Sequence, residues 1–344
     1  HGVERLRAAG VGLGALFSPE HGFRGAAAPG EAIGHATDSA TGLPIYSLYG
    51  RTTSPTDSML QGLDLLLVDL PDVGARYYTY VSTTIEVMRA AAARGLPVIV
   101  LDRPNPIGGA VQGNVLEPLH RSFVGMLTVP MRHGLTLGEL ARLANLELGL
   151  GAALTVVPAA GWHPRDYLDR TGLPFVPPSP NLRSLEALMH YPGTCLFEAT
   201  PLSVGRGTDA AFELVGAPWL DTTAVLATLR AARLPGVAFE GRAFTPHEPG
   251  DGKFADTLVA GIRLRATDRE AYDPTATAIH LLTAIRARHP DRWTLRVAHF
   301  DRLAGTSRLR LDLEAGLPPD RIVQGWVSAR ADWERRTRPI RLSY

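Results

Sequence analysis

The run Gly62–Leu70 (GLDLLLVDL) constrains the fold of this chain more than any other stretch. A nearly continuous apolar run of that length predicts a strand buried on both faces, the pattern of a parallel sheet between helices. Its surroundings agree. A helix over 2–9 leads to an apolar strand at 13–17, and a helix over 83–94 follows the run. Leu96–Asp102 (LPVIVLD) reads as a further strand. A proline- and glycine-rich loop extends to about 134, before a helix at 136–148 and a strand at 153–158. Strands alternating with helices predict an α/β, doubly wound, mainly parallel sheet.

Residues 159–220 are rich in Pro and Gly with few periodic runs, and loops this long in a compact domain are usually functional. From about 221 the pattern changes. A helix at 222–233, strands at 237–244 and 257–265, a helix at 274–288 and a short terminal part predict a second, smaller α+β domain.

The chain has 344 residues and a net charge of +1 without a basic run, which argues against a nucleic-acid surface. Lys253 is the only lysine among 35 basic residues. The single cysteine, Cys195, excludes an internal disulfide and a multi-cysteine metal site. No stretch has the length of a transmembrane helix. No signal peptide is visible, but the sequence opens at His1, partway into a helical pattern, so the expectation is that the natural N-terminus lies upstream.

Three expected strands end in acids: Glu20, Asp69 (with Asp72 three residues on) and Asp102. Ligands of open parallel sheets sit beyond the carboxyl ends of the strands, so these carboxylates are candidates for acid–base chemistry. For Asp69 and Asp102 the alternative is a turn-capping role. Glu20 is followed by His21 and Gly22 just after Pro19 stops its strand, and carries the stronger functional reading. Arg103 and Asn105 lie in the stiff loop DRPNP, where the alternative is an Asp–Arg turn pair. Arg132 and His133 form a similar polar tip, while Asn181 and Arg206 sit in the loop-rich middle. Tyr77, Tyr78, Tyr80 and Tyr191 are read as sugar-stacking aromatics or as core. Thr83–Glu86 and Thr136–Glu139 both match a helix capping box, which gives Glu86 and Glu139 structural roles. No P-loop, G-x-G-x-x-G, G-x-S-x-G or H-E-x-x-H motif is present. Carboxylate chemistry beside aromatics survives, which suits a glycosidase without selecting it.

The stretches FSPEHGFRG (17–25), TGLPIYSLYG (41–50), VDLPDVGARYYTYVST (68–83) and VLDRPNPIGG (100–109) together resemble the exo-β-N-acetylmuramidase (NamZ) family. So do VPMRHGLTLGELA (129–141), PPSPNL (177–182), YPGTCLFEAT (191–200), SVGRGTDAAFE (203–213) and GAPW (216–219). The resemblance spans nearly the whole chain. It implies a Rossmann-like catalytic domain, placed at 1–195 and lacking its first strand, and a smaller C-terminal α+β domain at 196–344 that contributes to the cleft. Relatives begin with a further strand and a T-N-x-T-G-like loop that this sequence lacks, and Pro201 stands where many relatives carry a polar residue.

The resemblance further implies a secreted bacterial exo-glycosidase of cell wall turnover, without metal or organic cofactor. It would release β-linked N-acetylmuramic acid (MurNAc) from the non-reducing end of peptidoglycan fragments, in the periplasm or outside the cell. Glu20 would be the general acid, with His21 tuning or positioning it and Asp69, Asp72, Asp102 and Glu198 all open as the second acidic group. Arg24, Asp72, Arg76, Tyr78, Tyr80, Arg103, Asn105, Arg132, His133, Asn181, Tyr191, Glu198 and Arg206 are the candidate substrate contacts, and the arginines suit a lactyl carboxylate. MurNAc-GlcNAc saccharides or muropeptides would be the partners. The rival reading is a muropeptide-binding relative without turnover. A deacetylase or esterase is disfavoured by the missing serine elbow and metal ligands.

Overall fold

The alternating apolar and amphipathic segments become strands and helices in the order the pattern requires. The computed structural model describes residues 2–343 apart from residues 24, 26, 28, 29, 32 and 33. The first half comprises α1 (Gly2–Ala8), β1 (Leu16–Ser18), β2 (Ala36–Thr37), β3 (Pro44–Ser47), β4 (Leu66–Val68), α2 (Tyr80–Ala93), β5 (Val98–Leu101), β6 (Gln112–Val115), β7 (Pro130–Arg132), α3 (Leu137–Glu147) and β8 (Leu154–Val157). The second comprises α4 (Leu185–Thr194), β9 (Leu214–Ala217), α5 (Thr222–Ala232), β10 (Val237–Gly241), β11 (Ala260–Ala266), α6 (Pro274–Arg288), α7 (Val297–Ala304), α8 (Arg308–Glu314), α9 (Pro319–Gln324) and α10 (Val327–Thr337).

Strands β4, β5 and β8 form a parallel sheet in that order, with Val68 opposite Val100 and Leu101 opposite Val157. Helices α2 and α3 cover one face, where Met88, Leu137 and Ala141 bury Leu66, Val68, Val98 and Val100. A second parallel pair, β1 with β3, is extended by antiparallel β2. In the second half β10, β11 and β9 form an antiparallel sheet covered by α4 and α5, with α6 packed on both helices. The molecule is a two-part α/β fold, as the sequence pattern indicates. One apolar cluster runs from Val73 and Tyr77 through Phe197 and Phe212 to Ile279, Phe300 and Trp326, so the halves share a core.

Several expectations are corrected. The run Gly62–Leu70 is a strand only at Leu66–Val68, and Leu65 and Leu67 are 45% and 36% exposed. Both helices pack on the same face, so alternate side chains face away from them. Helix α2 begins at Tyr80, and the Thr83 amide already bonds to the Thr79 carbonyl at 2.9 Å. Thr83 is thus inside the helix and its box with Glu86 does not form; Glu86 instead pairs with Arg89 at 3.4 Å. The Thr136–Glu139 box does form. The loop-rich middle contains α4, whose buried, proline-bearing sequence has no amphipathic period. The terminal part holds four short helices, which are too short to be stable by pattern alone and depend on packing.

Candidate active site

Strand β1 ends at Ser18 and Pro19, and the chain turns sharply, with the Gly22 amide donating to the Pro19 carbonyl at 3.1 Å. His21 takes a positive φ of 70° within this turn. That conformation is strained for a non-glycine residue, and such strain collects at functional sites. It is held by His21 Nδ1, 3.0 Å from the Ala27 carbonyl. A carbonyl only accepts, so Nδ1 carries the hydrogen.

The turn buries Glu20, which is 9% exposed. Its Oε1 accepts from the Gly30 amide at 3.0 Å, and its Oε2 accepts from the Thr79 hydroxyl at 2.7 Å. Its main-chain carbonyl accepts from the Tyr80 hydroxyl at 3.0 Å. Thr79 is the N-cap residue of α2, yet its hydroxyl makes no cap bond and turns to Glu20 instead. The positive end of the α2 dipole therefore faces this carboxyl group. Tyr49 completes the ring. Burial first, then the charge and hydrogen bond of Glu20, push its phenol up to about 12. Burial likewise lifts Tyr80 to about 12. Hydroxyl partners both donate and accept, so they can serve this carboxyl with or without its proton, as a proton-transferring group requires. Thr79 and Tyr49 were not singled out in the sequence, although both lie in the stretches that carry the family resemblance.

The other candidates divide into separate groups. Asp102 caps α3: its Oδ1 accepts from the Gly138 amide at 2.8 Å and its Oδ2 from the Thr136 hydroxyl at 2.6 Å. A Cβ at position 138 would stand 2.7 Å from Asp102 Cγ, so only glycine admits this approach. The catalytic role offered to Asp102 gives way to the capping alternative. Asp69 is exposed and takes Arg103 Nε and Nη2 at 2.9 and 2.5 Å, so Arg103 pairs across the ends of β4 and β5 and not with Asp102 of its own loop. Asp72 and His133 are brought together and buried, with Asp72 Oδ2 3.3 Å from His133 Nε2 and 2.8 Å from the Gly74 amide.

Three candidate substrate contacts are committed to main chain. Asn105 bridges the Leu135 carbonyl and the Ile107 amide, and Arg132 holds the Ile107 carbonyl and Gln112. Arg76 donates to four carbonyls, those of Asn114, Val129, Leu303 and Ala304, at 2.9–3.0 Å. Burial pushes the Arg76 and Arg132 guanidinium pKa values down. Tyr78 bonds to the Pro178 carbonyl at 2.6 Å, and Tyr191 packs edge-on against Tyr77 and Phe212. Asn181 is half-buried and makes no hydrogen bond among the described residues. Arg24 lies outside the described residues. Among those described, no three His, Cys, Asp or Glu side chains gather as a metal site.

Glu198 and Arg206 pair, Arg206 Nε standing 2.7 Å from Glu198 Oε1, on the segment after α4. Lys253 clasps this segment, its ammonium donating to the carbonyls of Phe197, Glu198 and Leu202 at 3.2, 3.1 and 2.7 Å. Burial outweighs the nearby Asp251 and Glu198 charges and lowers Lys253 from 10.5 to about 8. Between those values the unfolded chain holds a proton that the folded chain releases, so this group adds stability as pH rises through the window. The difference in melting temperature between the native chain and Lys253→Met is expected to grow in the native chain's favour from pH 8 to 10. A flat difference would show that the three carbonyls keep the ammonium charged.

Residues 1–186 match the family described as exo-β-N-acetylmuramidase NamZ, N-terminal, and residues 189–343 match its C-terminal counterpart. The chain is 43% identical over 318 residues to the peptidoglycan β-N-acetylmuramidase NamZ of Bacillus subtilis (strain 168), covering 92% of this chain and 76% of that protein. The chain belongs to the NamZ family. Two crystal structures of DUF1343 family proteins from Bacteroides fragilis NCTC 9343 share the fold of this NamZ-family chain. One has a TM-score of 0.91 at 32% identity and the other 0.79 at 33%, each covering 99% of this chain and 89% of its own.

Proposed function

We propose that this NamZ-family chain is an exo-acting glycoside hydrolase that releases β-linked MurNAc from the non-reducing end of peptidoglycan fragments, with Glu20 as its general acid. The observation that carries the reading is the Glu20 carboxyl group, nearly buried at the end of a strand and ringed by donors from residues 30, 49 and 79. In the proposed step Glu20 gives its proton to the glycosidic oxygen as the C1–O bond breaks and the departing saccharide leaves as an alcohol. Over the whole reaction the oxygen of a water ends on C1 of the released MurNAc, and the proton that water gives up restores the Glu20 acid. Thr79 and the Gly30 amide hold the carboxyl group in place throughout. His21 acts on the geometry of the turn, since its ring is tied to the Ala27 carbonyl. The substrate is a cell-wall polymer, so the proposed place of action is outside the cytoplasmic membrane. The membership in the family, a glycoside hydrolase family, supports the class of reaction.

Glycan strands bearing MurNAc at the non-reducing end test the reading. The expected product is free MurNAc alone from the earliest time point. A ladder of shorter oligosaccharides would show internal cleavage and overturn the exo mode. Binding without any release would leave the muropeptide-binding rival in place, and release of acetate alone would point to a deacetylase.

A further inference from the structure

The stacking role weighed for Tyr77, Tyr78, Tyr80 and Tyr191 is not available to them, because all four are at most 8% exposed. Their rings serve the core and their neighbours. Tyr49 stands beside Glu20, and Phe123 stands beside Tyr49. Ser18 pairs with Ser47 in parallel register, so Tyr49 and Glu20, each two residues further on, come out side by side, and the Phe123 ring centroid is 6.2 Å from that of Tyr49, the planes tilted by 49°. Both are only half-buried, and neither belongs to an apolar cluster among the described residues. The pair begins beside a buried acid and does not serve as core.

Both are also rigidly presented. The Ser47 hydroxyl accepts from the Tyr49 amide at 3.2 Å and donates to the Tyr49 carbonyl at 2.9 Å, which fixes the backbone just beyond β3. Phe123 stands at the tip of a turn closed by both main-chain bonds between Ser122 and Gly125, at 3.1 and 2.9 Å. The turn packs closely on the strand side, where a Cβ at Gly125 would stand 2.6 Å from Leu116 Cδ1. Two segments distant in the chain thus bring together a pair of fixed, partly exposed rings, one of which, Tyr49, stands beside the Glu20 carboxyl group. A pyranose offers an apolar C–H face to such rings and keeps its hydroxyls at the rim for polar contacts. An aromatic ring gives large contact area at low entropic cost, because it has few rotatable bonds.

We infer that Tyr49 and Phe123 form the stacking platform of the subsite at Glu20, receiving the apolar face of the pyranose whose glycosidic oxygen Glu20 protonates. The inference rests on the glycosidase reading above. Tyr49 has a second duty, because its neutral phenol donates to the carboxyl group while its ring supports the sugar. Phe123 has only the stacking duty, which separates the two effects.

The test measures binding of MurNAc-β-1,4-GlcNAc by calorimetry to the Glu20→Gln variant, alone and combined with Phe123→Ala, Tyr49→Ala or Tyr49→Phe. Activity of the native chain on the same disaccharide is measured in parallel. Removing either ring is expected to weaken binding by about tenfold or more, and Tyr49→Phe by less than about threefold. In the otherwise native chain, Tyr49→Phe is expected to lower kcat, since Glu20 loses a donor. Unchanged binding in both alanine variants, with the native chain active, overturns the platform and leaves the glycosidase reading standing. Neither binding nor cleavage by the native chain overturns both. If Tyr49→Ala fails to fold, Phe123→Ala at a turn tip decides the matter alone.

Discussion

Glu20→Gln is expected to lower the rate of MurNAc release from MurNAc-β-1,4-GlcNAc by at least about 100-fold, the scale of a removed general acid. The amide keeps the shape of the side chain. Its oxygen can still accept from the Gly30 amide, and the Thr79 hydroxyl can rotate to accept from its nitrogen. The fold and the melting temperature should therefore change little, while the transferable proton is gone. KM should stay within a few-fold, because the side chain acts in the transition state and not in uniform binding. Equal rates for the two proteins would place the acid elsewhere in the chain.

Arg76→Met is expected to produce the largest loss of stability, about 3–5 kcal/mol. Arg76 is 4% exposed and its guanidinium satisfies four carbonyls from three separate segments, β6, the residue just before β7, and the end of α7. Each bond from a charged donor contributes about 1.5–3 kcal/mol, and removing the donor leaves buried acceptors without partners. A methionine fills the volume but offers no donor. Arg76→Lys should rescue little, because an ammonium has three donors on one atom and cannot span the four acceptors. Denaturant titration gives the stability, and KM of the folded fraction gives the function. A raised KM at unchanged stability would return Arg76 to the substrate contacts.

The contrast between Glu20 and Arg76 shows what could be read before the fold was known. The turn that holds Glu20 was legible because a strand, a proline stop and the sequence Glu-His-Gly are local signals, and the structure keeps all of them together. Its partners were not, since the Thr79 bond spans 59 residues. Tyr49 and Thr79 were present in quoted motifs, but their own neighbours in sequence contain nothing that distinguishes them from the core tyrosines nearby. Arg76, Asn105 and Arg132 misled for the opposite reason. Polar residues in Gly- and Pro-rich loops look like ligand contacts, yet irregular backbone that becomes buried needs internal donors and acceptors, and these side chains supply them.

The same division holds for the fold. Alternating apolar and amphipathic segments determined the parallel strands β4, β5 and β8, the helices α2 and α3, and the elements α5, β10, β11 and α6, because periodicity within one segment reports which face is buried. Family membership was also carried by the sequence, through ordered motifs along nearly the whole chain. The tertiary structure alone decided which face of the sheet the helices cover, that α4 is a helix despite Pro192, and that Asp102 caps α3. It also buried the tyrosines of one motif and left Tyr49, beside Glu20, and its neighbour Phe123 partly exposed. The physical reason is one of range: propensity and periodicity act over a few residues, whereas burial and hydrogen-bond partnership are settled by segments that meet only when the chain has folded.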